Sequence, residues 1–206
     1  MDSIIFDVDG TLWDSTGIVA EAWSDYLIHT EHMDTDVSAK RLMGLFGQLL
    51  PDIAKALFPE LPEAEQLRII DGCCQAEHEA LLKNCAPLYE DLENMLQIMS
   101  QKYPLYIVSN SQSGYIEVFL KTSGLGRYFK GHLCNGDTGL DKGSNIRQVA
   151  DTYGLKAPVY VGDTFGDWQA CQKAGVPFVL AEYGFGEVPD PDARIRKPMD
   201  LIHIEL

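Results

Sequence analysis

Short apolar runs that close on a polar residue constrain this chain more than any other feature. Ile4-Ile5-Phe6 closes on Asp7, Leu105-Tyr106-Ile107-Val108 on Ser109, and Val159-Tyr160-Val161-Gly162 on Asp163. Phe178-Val179-Leu180 is a fourth run and His132-Leu133-Cys134 a weaker fifth. Each is too short for a helix and rich in β-branched or aromatic residues, the signature of a parallel strand buried on both faces. Helical stripes lie between them. Leu88, Leu92, Met95, Leu96 and Met99 form one, and Ile116, Phe119 and Leu120 begin another that stops near Gly124. Ile146, Val149, Ala150 and Tyr153 form a third, ended by Gly154. Trp168, Cys171 and Ala174 form a fourth, ended by Gly175 with Pro177 beyond it. Strands alternating with helices of this length predict an α/β protein with a doubly wound parallel sheet.

The rhythm fails once. Between Asp7 and Leu105 there is no good strand. Instead Ile18, Ala22 and Tyr26 recur at i, i+4 beside Val19, Trp23 and Leu27, and Leu67, Ile70, Cys74 and Leu81 give a further stripe. The 206 residues are about one and a half typical domains. The division that fits is an α/β core of residues 1–13 and 87–206, with residues 14–86 inserted as a helical cap over the carboxyl ends of the strands.

Open α/β sheets bind ligands at those carboxyl ends, near the point where strand order reverses. Asp7, Ser109 and Asp163 should converge there, with Asp9 and Asp167 close by. Crowded carboxylates repel and raise one another's pKa values, and a divalent cation relieves the repulsion. Oxygen ligands with incomplete protein coordination suit Mg2+, which keeps waters and accepts phosphate oxygens. Such a cation also answers a difficulty of charge. With 16 Lys and Arg against 31 Asp and Glu, the net charge is −15. This excludes nucleic acid and anionic membrane as expected partners, and an anionic substrate needs a local cation.

Four segments in order resemble a known family. Asp7-Val8-Asp9-Gly10-Thr11 is similar to the nucleophile motif of the haloacid dehalogenase superfamily, and Ser109-Asn110 after a strand to its second motif. Lys142 in Gly139-Leu140-Asp141-Lys142-Gly143 resembles the third, although the proline that often follows is absent. Gly162-Asp163-Thr164-Phe165-Gly166-Asp167 resembles the fourth. The set spans essentially the whole chain and is most like the phosphoglycolate-phosphatase-like subgroup, with a Rossmann-like core and a helical cap. The resemblance implies a magnesium-dependent phosphatase acting on a small phosphate monoester. Asp7 would be the nucleophile that forms an aspartyl-phosphate, and Asp9 the general acid and base. Asp7, the Asp9 carbonyl and Asp163 would hold Mg2+, while Asp167 would bond its waters or orient neighbours. Ser109, the Asn110 N–H and Lys142 would bind the transferring phosphoryl group.

Specificity is expected from the cap, where Arg41, Gly44 and Phe46 are the candidates; Lys40 and Arg41 would either grip a second anionic group or form a solvated helix face. Nothing in the sequence separates phosphoglycolate from a sugar phosphate, a nucleotide or pyrophosphate, and a phosphate-metabolite-binding regulatory protein with vestigial catalysis is the rival of another class. Asp9 argues against dehalogenation, since a halide leaves without a proton. Five cysteines without metal spacing read as buried thiols of a cytoplasmic protein, and the N-terminus has no secretory signal pattern. Asp14 and Ser15 read as caps of the first inserted helix, and Trp13 as packing at its base.

Overall fold

The computed structural model describes residues 1–205. Six strands form one sheet: β1 (Ser3–Phe6), β2 (Leu105–Ser109), β3 (Phe129–Cys134), β4 (Pro158–Gly162), β5 (Phe178–Ala181) and β6 (Ala193–Ile195). All neighbours are parallel, in the order β3-β2-β1-β4-β5-β6. The chain winds from β1 outward to β3, then returns to the other side of β1 with β4. Strand order therefore reverses at β1, where Phe6 is paired with both Ile107 and Val161. β6 was not anticipated: it has three residues, and Arg194 at its centre breaks the apolar pattern.

The chain between β1 and β2 carries helices only: α1 (Thr16–Tyr26), α2 (Ala39–Met43), α3 (Leu50–Leu57), α4 (Glu63–Lys83) and α5 (Leu92–Ser100), with one π-helical turn at Leu27–Glu31. Later crossovers use α6 (Tyr115–Ser123), the short α7 (Asn135–Thr138), α8 (Lys142–Tyr153) and α9 (Phe165–Ala174). Strand side chains alternate between two cores. Ile4, Phe6, Ile107, Val159 and Val161 pack with Met95, Leu96 and Phe119 of α5 and α6. Ile5, Tyr106, Val108, Tyr160 and Phe178 pack with Ile146, Val149, Cys171 and Ala174 of α8 and α9. Helices on both faces remove the sheet from water, which is why its strands read as unbroken apolar runs.

In α1 and the first residue of the π-helical turn the buried row is Val19, Trp23 and Leu27, not Ile18, Ala22 and Tyr26. In α4 it runs through Ile70, Cys74 and Leu81, while Leu67 is exposed. The two helices pack together through these faces. Where the inserted stretch leaves and rejoins the sheet layer, Trp13 bridges antiparallel to Leu88. The Asp14 N–H donates to Pro87 O at 2.9 Å. These bonds cinch the two chain crossings together. Cys85 is exposed, against the expectation for it; the other four cysteines are buried, and all five are free thiols. Among the described residues no helix is long and apolar enough to cross a membrane.

Candidate active site

The reversal of strand order at β1 sets Asp7 between Ser109, at the end of β2, and Asp163, just past β4. Asp7, Asp163 and Asp167 are all buried, and each offers an oxygen within 4.8 Å of the others. One cation answers them. The buried Lys142, first residue of α8, donates from Nζ to Asp7 Oδ1 at 2.9 Å and to Asp167 Oδ1 at 2.5 Å. Burial works to lower the Lys142 pKa, but the carboxylates of Asp167 and Asp7 outweigh it and keep the ammonium charged.

Each carboxylate is held differently. The Asp167 side chain closes a capping box at the start of α9, accepting at Oδ2 from Thr164 N–H at 3.0 Å and Thr164 Oγ1 at 2.8 Å. Asp163 accepts from Phe185 N–H at 2.8 Å and from Thr11 Oγ1 at 3.2 Å. Gly10, at φ +77°, allows the turn after β1 to lie against it; a Cβ there would stand 2.6 Å from Asp163 Cγ. Burial pushes the Asp7 carboxyl up to about 7 despite Lys142, with Asp167 and Asp9 adding to the rise. Burial also drives Asp163 far above the usual carboxylate range, helped by the charges of Asp167 and Asp7. Three buried carboxylates against one ammonium leave excess negative charge on hard oxygen donors, a set that fits a divalent cation.

Asp9 lies two residues beyond Asp7, outside this trio. Its Oδ1 accepts three hydrogen bonds, from Ser15 Oγ at 2.5 Å, Tyr115 Oη at 2.6 Å and Trp13 Nε1 at 3.0 Å. Burial raises the Asp9 pKa against these three donors. One oxygen is thereby fixed in place.

Asp7, Asp9, Ser109 and Asn110 line a cavity of about 50 Å³ closed from the helical side by Trp23, Phe46, Leu50, Ile53 and Glu77. Ser109 Oγ accepts from Ser111 N–H at 3.2 Å. Asn110 Nδ2 donates to Gly47 O at 2.8 Å, tying β2 to the loop before α3. Of the expected residues, Lys142, Asp163 and Asp167 lie around Asp7 rather than on the cavity wall. Phe46 is on the wall; Gly44 and Arg41 are not. The exposed Arg41 guanidinium donates to Ala56 O at 3.2 Å, on the solvated helix face that was the other reading of Lys40 and Arg41.

Sequence reasoning missed Tyr115, Ser15, Glu77 and Gln112. Ser15 sits at the N-cap of α1, but its hydroxyl goes to Asp9; Asp14 instead accepts from Thr16 N–H at 3.0 Å. Glu77 left a readable signal, because it is an acid on the apolar row of α4 between Cys74 and Leu81.

The family model described as haloacid dehalogenase-like hydrolase matches residues 4–181. A phosphoglycolate phosphatase of Aliivibrio fischeri is 27% identical over 88% of this chain and 84% of its own length. One from Aquifex aeolicus is 27% identical over 99% and 96%. A haloacid dehalogenase-like hydrolase from Streptococcus pneumoniae superposes with a TM-score of 0.84 at 23% identity, over 98% of this chain and 97% of that one. A 2-haloacid dehalogenase from Pseudomonas syringae superposes with a TM-score of 0.67 at 22% identity, over 98% and 97%. The fold alone thus serves more than one chemistry, and the site residues must decide between them.

Proposed function

The chain belongs to the haloacid dehalogenase-like hydrolases and is a phosphatase, and on that premise we propose that it hydrolyses a small-molecule phosphate monoester through an aspartyl-phosphate on Asp7. The observation that carries this reading is the pairing of Asp7, held by Lys142 through Oδ1, with an Asp9 whose Oδ1 is pinned by three donors. A hydrolase that expels a halide has no use for a second, proton-bearing carboxyl; one that expels an alkoxide does.

The Asp7 oxygen not bonded to Lys142 attacks phosphorus, and the bond from phosphorus to the ester oxygen breaks. Protonated Asp9 gives its proton to that oxygen and the alcohol departs. Asp9, now a carboxylate, takes a proton from water, which attacks the phosphorus of the aspartyl-phosphate. The bond to Asp7 breaks, releasing inorganic phosphate and restoring both carboxyls. Such acid–base help is worth roughly 10²–10⁴-fold. Lys142, Ser109 Oγ and the Asn110 N–H would bind the phosphoryl oxygens, where positioning and charge account for most of the acceleration. Asp7, the Asp9 carbonyl and Asp163 would hold Mg2+, which supplies charge neutralisation to the phosphoryl group. Asp167, occupied by Lys142 and the start of α9, would orient them.

Residues 14–86 act in this reading as a cap closing the site, the cinch at Trp13 and Leu88 being its base. The relatives' names make 2-phosphoglycolate the first ester to try. The reading extends to a cytoplasmic location, supported by the free thiols. The test is turnover of p-nitrophenyl phosphate with magnesium and after chelation. Activity that needs magnesium and vanishes in Asp7→Asn is expected; full activity in the metal-free protein would overturn the metal's role.

A further inference from the structure

The half of the cavity that faces the cap has a chemistry of its own. Its walls are the apolar side chains of Trp23, Phe46, Leu50 and Ile53, with Gln48, whose amide donates to Gly44 O, and one buried acid, Glu77, among them. Among the described residues lining the cavity there is no Lys, Arg or His. Glu77 accepts from Trp23 Nε1 at 2.7 Å through one oxygen and from Gln112 Nε2 through the other. Gln112 Nε2 also lies 3.1 Å from His78 Nε2, and burial lowers the His78 pKa, so this imidazole is neutral and brings no cation. Two further polar atoms at the cavity are buried without a partner, Asn110 Oδ1 and Ser111 Oγ. An amide oxygen can only accept, and a buried acceptor left unmade costs free energy that a ligand recovers by donating to it.

We propose that the leaving group of the substrate is a short alcohol bearing a further hydroxyl or ammonium donor and no second anionic group, received by Glu77 and Asn110 Oδ1. The inference rests on the phosphatase reading above and narrows its substrate class. A carboxylate on the leaving group, as in phosphoglycolate, would be desolvated among Trp23, Phe46, Leu50 and Ile53 with an acid beside it and no cation to pair with, which is strongly unfavourable. An ammonium in the same place draws the Glu77 carboxyl to its ionised form and pairs with it, and a hydroxyl donates to Asn110 Oδ1. Size points the same way: the cavity of about 50 Å³ is lined by Asp7, Ser109 and Asn110 as well as by these apolar side chains, so the phosphoryl group and the leaving group share it and a short leaving group fits best.

The test compares kcat/KM for phosphoethanolamine, glycerol 2-phosphate, 2-phosphoglycolate and p-nitrophenyl phosphate in the wild-type protein and in Glu77→Gln. The substitution keeps the shape of residue 77, removes the carboxyl that can ionise and turns one acceptor into a donor. Either donor-bearing ester should exceed 2-phosphoglycolate by about tenfold or more, the scale of a hydrogen bond to a charged group. Glu77→Gln should narrow that ratio by about tenfold, mainly through KM. If 2-phosphoglycolate is turned over as well as or better than the other two alkyl esters, the proposal is overturned while the phosphatase reading stands. A ratio left unchanged by Glu77→Gln overturns the part given to Glu77. If no ester is hydrolysed, p-nitrophenyl phosphate included, the phosphatase reading itself falls and this proposal with it.

Discussion

Glu77 makes folding stability depend on pH in a direction opposite to that of a salt-bridged acid, and Glu77→Gln isolates the effect. Burial pushes its carboxyl from 4.5 up to about 8, the bond from Gln112 opposes, the charge of Asp9 adds to the rise, and the bond from Trp23 opposes again. Because the folded value lies above the unfolded one, the folded protein binds the extra proton between these two pH values. Stability is therefore present in full below the unfolded value and is lost as pH rises toward 8. At about 1.36 kcal/mol per unit, the cost accumulated between about pH 5 and about pH 8 is roughly 3 kcal/mol. Glutamine has no proton to lose there, and it can still accept from Trp23 and meet the Gln112 amide after that amide turns over. Urea unfolding of both proteins at the two pH values, with chelator present, gives the difference directly. Other buried acids, Asp7 and Asp163 included, titrate alike in both proteins and cancel, apart from Asp9, whose coupling to Glu77 is part of the difference. Wild type should lose roughly 3 kcal/mol more than Glu77→Gln over this interval. Equal pH dependence in the two proteins would show that Glu77 is ionised in the fold at neutral pH and that the reasoning from burial is wrong.

Asp7→Asn and Asp9→Asn should fail at different steps: with a good leaving group such as nitrophenolate, mass spectrometry should find no phosphoenzyme in the first and a persistent adduct on Asp7 in the second. An adduct on any other residue would reassign the nucleophile. Tyr115→Phe removes one of the three donors to Asp9 while its ring stays against Trp13, at 5.9 Å between centroids. The lost donor should raise the Asp9 pKa, move the acidic limb of the kcat profile to higher pH, and slow kcat about tenfold for an alkyl ester, with less effect on p-nitrophenyl phosphate. An unmoved limb would argue that Asp9 is not the titrating base. Gly10→Ala combines a positive φ with a clash against the Asp163 carboxyl. It should weaken magnesium activation well before it unfolds the protein, measured by the magnesium concentration for half-maximal rate beside thermal unfolding; an unchanged magnesium requirement would separate this turn from the metal site.

What could be read in advance was whatever the chain encodes locally. The apolar runs before Asp7, Ser109 and Asp163 identify strands, and a polar residue ending a buried strand has only the sheet's carboxyl edge to occupy. Lys142 was harder, because a lone lysine is usually solvated; only its place in an ordered set of motifs marked it, and the fold buries it between Asp7 and Asp167. Tyr115 had no local mark at all. It stands 106 positions from Asp9 at the first turn of α6, and only the crossover after β2 turns its hydroxyl inward. Ser15 was placed correctly at the helix start but its hydroxyl was not, for a reason that generalises. Asp14 and Ser15 both suit a helix start, and local propensity cannot say which will serve the backbone. In the fold Asp14 takes the Thr16 N–H, which frees Ser15 for Asp9. A redundant cap in the sequence is thus a sign that one of the two side chains has other work. An acid on an apolar helix row, as at Glu77 between Cys74 and Leu81, is a sign of the same sort: burial without an ion pair is too costly to be incidental packing, and it directs attention to the ligand that such an acid would receive.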